Sequence, residues 1–148
     1  INALIGRSAA RDIYDVYNMV RYQLFVSDEE RTLLRKATVF YLTVGSSRKD
    51  NATPTEYTDF PQIDKIRFPQ IRSQLLPVLR RNEHFDFEKV KTEVKDFLSK
   101  LLVLAESEKE YVREFNGKKY IPELLFEDKV IVDRIKFHPM ALWKTRSR

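Results

Sequence analysis

The stretch Asp86-Phe-Glu-Lys-Val90-Lys-Thr-Glu-Val94-Lys-Asp-Phe-Leu98-Ser-Lys-Leu-Leu102 decides the fold. Phe87, Val90, Val94, Phe97, Leu98, Leu101 and Leu102 return every three or four positions. That period stacks side chains on one face of an α-helix and leaves the charged residues between them on the other. Asp86 is placed to cap the amino end, and Asp96 and Lys100 form a favourable i,i+4 pair. The spacing predicts a helix from Asp86 to Ala105 at the centre of the fold.

The same reasoning extends in both directions. Downstream, Ser107 and Glu110 read as a capping box that opens a helix ending at Asn116-Gly117. Glu106, Glu108 and Glu110 read as the solvated acidic start of that helix. From Tyr120 to Trp143 the pattern gives two or three short helices broken at Pro122 and Pro139. Upstream, Gln62 to Arg81 is helical but punctuated by Pro69 and Pro77, with Glu83 to Phe85 as a link. Ser46 to Pro61 is polar and reads as a loop. Ser27 and Glu30 form another capping box, with a helix running through Leu33, Leu34, Ala37, Phe40 and Tyr41 toward Gly45. Ile1 to Phe25 reads as one helix, with Ile5, Ala9, Ala10, Ile13, Val16, Tyr17, Val20 and Leu24 on a broad apolar face. The expected architecture is all-α: a helical bundle with one long polar loop, a single lobe spanning residues 1–148.

Composition narrows the function. Hydrophobic residues are 43% and charged residues 33% of the 148, which suits a folded core over a disordered tail. There is no cysteine, so thiol chemistry and Cys-ligated zinc are excluded within this sequence. Gly6, Gly45 and Gly117 are too far apart for a P-loop or a dinucleotide fingerprint. The longest uncharged run, Ala37 to Ser47, is about half of a bilayer span, and a membrane partner is not expected. His84 and His138 have no metal spacing around them, and His138 reads as structural. The net charge is +5, and up to Asp133 the two signs balance. The excess lies in Arg134, Lys136, Lys144, Arg146 and Arg148, a basic end that reads either as a solvated terminus or as a surface able to meet nucleic acid or another polyanion.

The polar arc of the first helix is the candidate for chemistry. Arg7, Arg11 and Asp15 are spaced by four and stack on one stripe, with Asp12 beside it. Two guanidiniums next to two carboxylates can grip a phosphate. A helical salt-bridge ladder gives the same spacing. Ile1 and Leu4 fall on this polar arc, so they are expected to be exposed and covered by something outside the sequence. The chain opens at Ile1 in helical spacing with no capping residue ahead of it, and is expected to be cut from a larger protein.

Ile1-Asn-Ala-Leu-Ile-Gly-Arg-Ser-Ala-Ala-Arg-Asp-Ile-Tyr-Asp-Val-Tyr17 resembles a signature of the AbiEii/AbiGii toxin nucleotidyltransferases. Pro122-Glu-Leu-Leu-Phe126 and His138-Pro-Met-Ala-Leu-Trp-Lys144 are similar to that family's closing segment. The resemblance implies the helical C-terminal lobe of a two-lobed, cytoplasmic enzyme of toxin–antitoxin or abortive-infection systems. Such an enzyme moves a nucleotide from an NTP to an acceptor, tRNA in some members, with Mg2+ bound on its own N-terminal nucleotidyltransferase lobe. A cognate antitoxin is a further implied partner. Arg7 and Arg11 match the positions expected to bind the nucleotide's triphosphate, and Asp12 and Asp15 the positions expected to act as catalytic carboxylates. Gly-Ser followed by Asp-x-Asp, the family's metal motif, is absent, so residues 1–148 alone are expected to be inactive and to hold no metal. The alternative is a non-catalytic helical interaction or RNA-binding module.

Overall fold

A computed structural model describes residues 1–45, 52–79 and 85–146. Among the described residues there are helices and no strand. The elements are α1 (Asn2–Gly6), α2 (Ala10–Arg21), α3 (Asp28–Gly45), α4 (Pro61–Asp64), α5 (Phe68–Gln70), α6 (Phe87–Leu101), α7 (Glu106–Asn116), α8 (Lys129–Ile135) and α9 (Pro139–Thr145). A π-helical segment, Ile71–Leu75, follows α5, and 3-10 turns occupy Leu76–Val78 and Pro122–Leu124. The all-α class holds. Val39 to Val44, β-prone by composition, lies within α3.

Within residues 1–148 the chain divides into two compact units. The first comprises Ile1–Arg31 and Thr58–Leu102; the second comprises Thr32–Tyr57 and Val103–Arg148. In the first unit, α2 packs on α6 and on the π segment, and α1 packs on α4. Ile13 and Val16 from α2, Val90, Val94 and Leu98 from α6, and Ile63, Ile71 and Leu75 are buried there. Asp86 caps α6 as its sequence suggests, accepting from Lys89 N at 3.1 Å. The helix stops at Leu101, short of Ala105. In the second unit, Phe40 and Val44 of α3, Tyr111, Val112 and Phe115 of α7, Leu125, Phe126 and Ala141 are buried.

Helix ends explain where boundaries moved. α3 opens on the expected box: Ser27 Oγ accepts from Glu30 N at 3.1 Å, and Glu30 Oε2 accepts from Ser27 N at 3.1 Å. Those backbone donors hold the Glu30 carboxyl below its usual range, Ser27 first and then Val26. α7 opens two residues early. Ala105 is its N-cap, and Glu108, not Glu110, reaches back to accept from Ala105 N at 2.9 Å. α2 ends at Arg21, before the expected Phe25, in a Schellman turn: Leu24 N donates to Met19 O, and Gln23 N to Val20 O. α7 ends the same way, with Lys119 N donating to Glu114 O and Lys118 N to Phe115 O. The left-handed position of each turn belongs to a non-glycine, Gln23 at φ 50° and Lys118 at φ 67°. Gly117 stands one residue too early to serve.

The largest departure is at the start. Residues 1–25 do not form one helix. Arg7 is extended (φ −148°, ψ 157°), as is Ala9 (φ −104°, ψ 130°), and the chain re-enters a helix at Ala10. Ser8 has polar partners that compete with helical continuation. Its hydroxyl donates to Gln62 Oε1 at 2.9 Å, and its carbonyl accepts from Gln70 Nε2 at 3.4 Å. The break resets the angular register. Leu4, expected on an exposed arc, is fully buried, and Ile1 is half-buried. Leu4 therefore packs into this chain's own core and needs no cover from outside it.

Candidate functional site

The candidate site lies in the first unit, at the junction of α1 and α2. Arg7 leaves α1 in extended conformation, and its side chain turns to the first turn of α2. Arg7 Nε donates to Asp12 Oδ2 at 2.7 Å, and Nη2 donates to Asp12 Oδ1 at 3.0 Å. This is a two-pronged fork, the geometry in which arginine and carboxylate fix each other's plane. Asp12 is the third residue of α2, where the helix's positive end favours a carboxylate. It is buried, whereas the Arg7 side chain keeps 67% of its surface exposed. The hydrogen bond and then the charge of Asp12 hold the Arg7 proton more firmly than usual.

Arg11 points elsewhere. Its Nε donates to the carbonyl of Gln74, in the π segment, at 3.2 Å. Asp15, one turn on, is exposed. The expectation of Arg7, Arg11 and Asp15 stacked on one helical stripe is thus overturned. Arg11 and Asp15 share α2, but Arg7 lies before it and is joined to Asp12 through five residues of chain. Ser8 and three residues with no functional signal in the sequence, Gln62, Gln70 and Gln74, complete the surroundings. The one pattern among them is that Gln70 and Gln74 are four apart in a proline-broken segment. Beside them, Phe85 takes the edges of Tyr14 and Tyr17, with ring centroids 5.9 and 6.4 Å away. Lys95 reaches from α6 to Asp64 at 2.7 Å, and that hydrogen bond lowers the Asp64 carboxyl from its usual range.

The second unit holds two charges in unexpected places. Glu108, read as part of a solvated acidic face, is fully buried and accepts from Arg35 Nε at 2.8 Å. Lys144, read as part of the basic end, is buried too, and its Nζ donates to Thr43 O near the end of α3 at 2.8 Å. Burial, and then the charge of Lys118, lowers the Lys144 ammonium from its ordinary range. Lys144 is therefore removed from any surface role. The His138 ring meets the edge of Phe40 at 5.3 Å, in keeping with a structural histidine. His84 and Arg148 lie outside the described residues.

Among the described residues, no three His, Asp or Glu side chains converge as they would around a metal ion. No described helix is long and apolar enough to cross a membrane. No family model, curated protein or solved structure matches the chain.

Proposed function

We propose that residues 1–148 are the helical C-terminal lobe of a toxin-type nucleotidyltransferase, moving a nucleotide from an NTP to an acceptor such as tRNA. The reading rests on the sequence resemblance at Ile1–Tyr17 and Pro122–Lys144. One structural observation supports it: the Arg7 guanidinium is locked by Asp12 yet largely exposed. A guanidinium held on one edge keeps its plane when a phosphate meets the other edge, so little ordering remains to be done on binding. In this reading Arg7 and Arg11 contact the triphosphate. Asp12 is a positioning residue for Arg7, and Asp15 orients the acceptor or moves its proton. A toxin–antitoxin or abortive-infection setting, and a cytoplasmic one, belong to the same proposal.

The test uses the protein as its gene encodes it, incubated with each labelled NTP in turn and total tRNA. Label should pass to RNA with at least one NTP. Arg7→Ala, Arg11→Ala and Asp15→Ala should each slow transfer by on the order of a hundredfold or more with folding intact. Asp12→Asn should raise KM for the NTP more than it lowers kcat. Absence of transfer with every NTP would leave a helical interaction module as the better reading. Near-normal transfer by Arg11→Ala and Asp15→Ala would make the junction a structural ion-pair site.

A further inference from the structure

In the second unit, the segment from Arg134 to Arg146 presents a surface that the proposed chemistry does not use. Phe137 is 71% exposed, Met140 39% and Trp143 43%. Met140 and Trp143 are three apart on α9, so they share its outer side, and Phe137 immediately precedes that helix. Arg134, Lys136 and Arg146 are exposed along the same segment, and no acid follows Asp133 in the sequence. Lys136 Nζ sits over the Phe137 ring, 5.4 Å from its centroid. Lys136 also meets Asp133 at 2.6 Å, but both side chains are solvated, so that pair exchanges readily for a stronger anion.

We infer that this aromatic and basic face binds a single-stranded nucleic acid, stacking bases on Phe137 and Trp143 while Arg134, Lys136 and Arg146 follow the phosphates. Rings interleaved with cations are what a single strand needs: every base has a π-face, and every nucleotide has a charge. The size of the face argues against a protein partner. Three partly exposed side chains offer on the order of 300 Å², well under the ~800 Å² per partner of a stable interface. Duplexes offer no unstacked base, so they should be bound less well. The inference does not rest on nucleotide transfer and survives its failure.

The experiment measures fluorescence anisotropy of a labelled 15-nucleotide oligouridine and of a matched duplex, with no NTP added. Tryptophan quenching is recorded in parallel, and residues 1–148 contain one tryptophan. The single strand should bind more tightly than the duplex and quench Trp143, with the quench missing in Trp143→Phe. Phe137→Ala should weaken binding about tenfold, one stacked base's worth, and Phe137→Tyr should restore it. With three phosphates engaged, log Kd should change with log salt by a slope of about 2 in magnitude, falling to about 1.4 in Arg146→Gln. Phe137 is exposed enough for these variants to fold, and circular dichroism checks that they do. Equal affinity for duplex and single strand, or binding unchanged in Phe137→Ala, would overturn the proposal. So would a Trp143 response confined to vesicles of anionic lipid, which would make the face a membrane contact.

Discussion

Glu108→Ala tests whether one buried carboxylate organises the second unit. Glu108 is fully buried and serves two donors: Arg35 Nε at 2.8 Å and the N-cap amide of Ala105 at 2.9 Å. Its removal strands both. Breaking a buried ion pair costs about 3–5 kcal/mol, most of it the penalty of the charge left behind. The Arg35 side chain keeps 19% exposure, so some water reaches it and the lower figure applies, about 3 kcal/mol. The lost cap adds about 1 kcal/mol. Alanine is the best helix former, so α7 suffers no propensity loss to confuse the result. The sum, about 4 kcal/mol, at roughly 2–4 °C per kcal/mol for a chain of this size, lowers Tm by about 8–16 °C. Glu108→Gln keeps an acceptor for Ala105 and should lose only the ion-pair part, about 6–12 °C. Thermal melts followed by circular dichroism measure both. The double variant Arg35→Met with Glu108→Leu should melt well above Glu108→Ala, because an apolar pair leaves no stranded charge. A Glu108→Ala protein melting within about 2 °C of the parent, where ~4 kcal/mol is at stake, would show that water or another group satisfies Arg35 and would refute the reasoning.

Three further outcomes follow from other parts of the fold. Gln23→Gly and Lys118→Gly should each stabilise by up to about 1.5 kcal/mol in denaturant melts. The left-handed backbone costs a non-glycine residue about 1–2 kcal/mol, and glycine's added chain freedom gives back ~0.5–1 kcal/mol. Lys144→Met should change the alkaline limb of stability. The unfolded chain holds the Lys144 proton more firmly than the native protein does, so this residue's contribution rises with pH between its lowered native value and the ordinary ~10.4. Burial pushes the Tyr57 hydroxyl up to about 12, which acts in the opposite sense above about pH 10. The difference between parent and Lys144→Met, not either curve alone, therefore carries the test. Asp64→Asn removes the partner of Lys95 and Lys91 on α6, but the Asp64 carboxylate is about half exposed, so Tm should fall by no more than about 3 °C, the equivalent of ~1 kcal/mol.

Periodicity made the long helices legible. In α6 the repeating apolar positions outnumber any competing signal, and Asp86 supplies the cap that fixes the first turn. α3 was equally readable because Ser27 and Glu30 satisfy each other locally, with no help from distant residues. α7 misled because its sequence offers two overlapping boxes. Ser107 with Glu110 has the better capping chemistry, but Glu108 has Arg35, 73 positions away, to bury against. A tertiary ion pair outweighed a local cap, and nothing within a window of ten residues announces Arg35. Lys144 was misread for a related reason. Charge counting treats every lysine as solvated, whereas a carbonyl near the end of α3 can take an ammonium out of water.

The α1–α2 break shows the same principle where it matters most for function. Spacing of four is evidence for a shared helical face only if the backbone between the residues is helical. Arg7 and Arg11 meet the spacing, but Ser8 between them exchanges its helical bonds for Gln62 and Gln70, more than fifty residues away. Once Arg7 is extended, the angle between the two arginines is set by loop geometry instead of the helical repeat. The residue types kept their significance while their pairing changed: Arg7 belongs with Asp12, and Arg11 with the carbonyl of Gln74. That difference is measurable. A continuous ladder would couple Arg11 to Asp15 and Arg7 to Arg11, so the double variant Arg7→Ala with Arg11→Ala would be non-additive in stability. The broken arrangement gives Arg7 and Asp12 the coupling, while Arg7 and Arg11 add within about 0.5 kcal/mol. A double-mutant cycle on each pair separates the two arrangements, and strong coupling between Arg7 and Arg11 with none between Arg7 and Asp12 would restore the single helix.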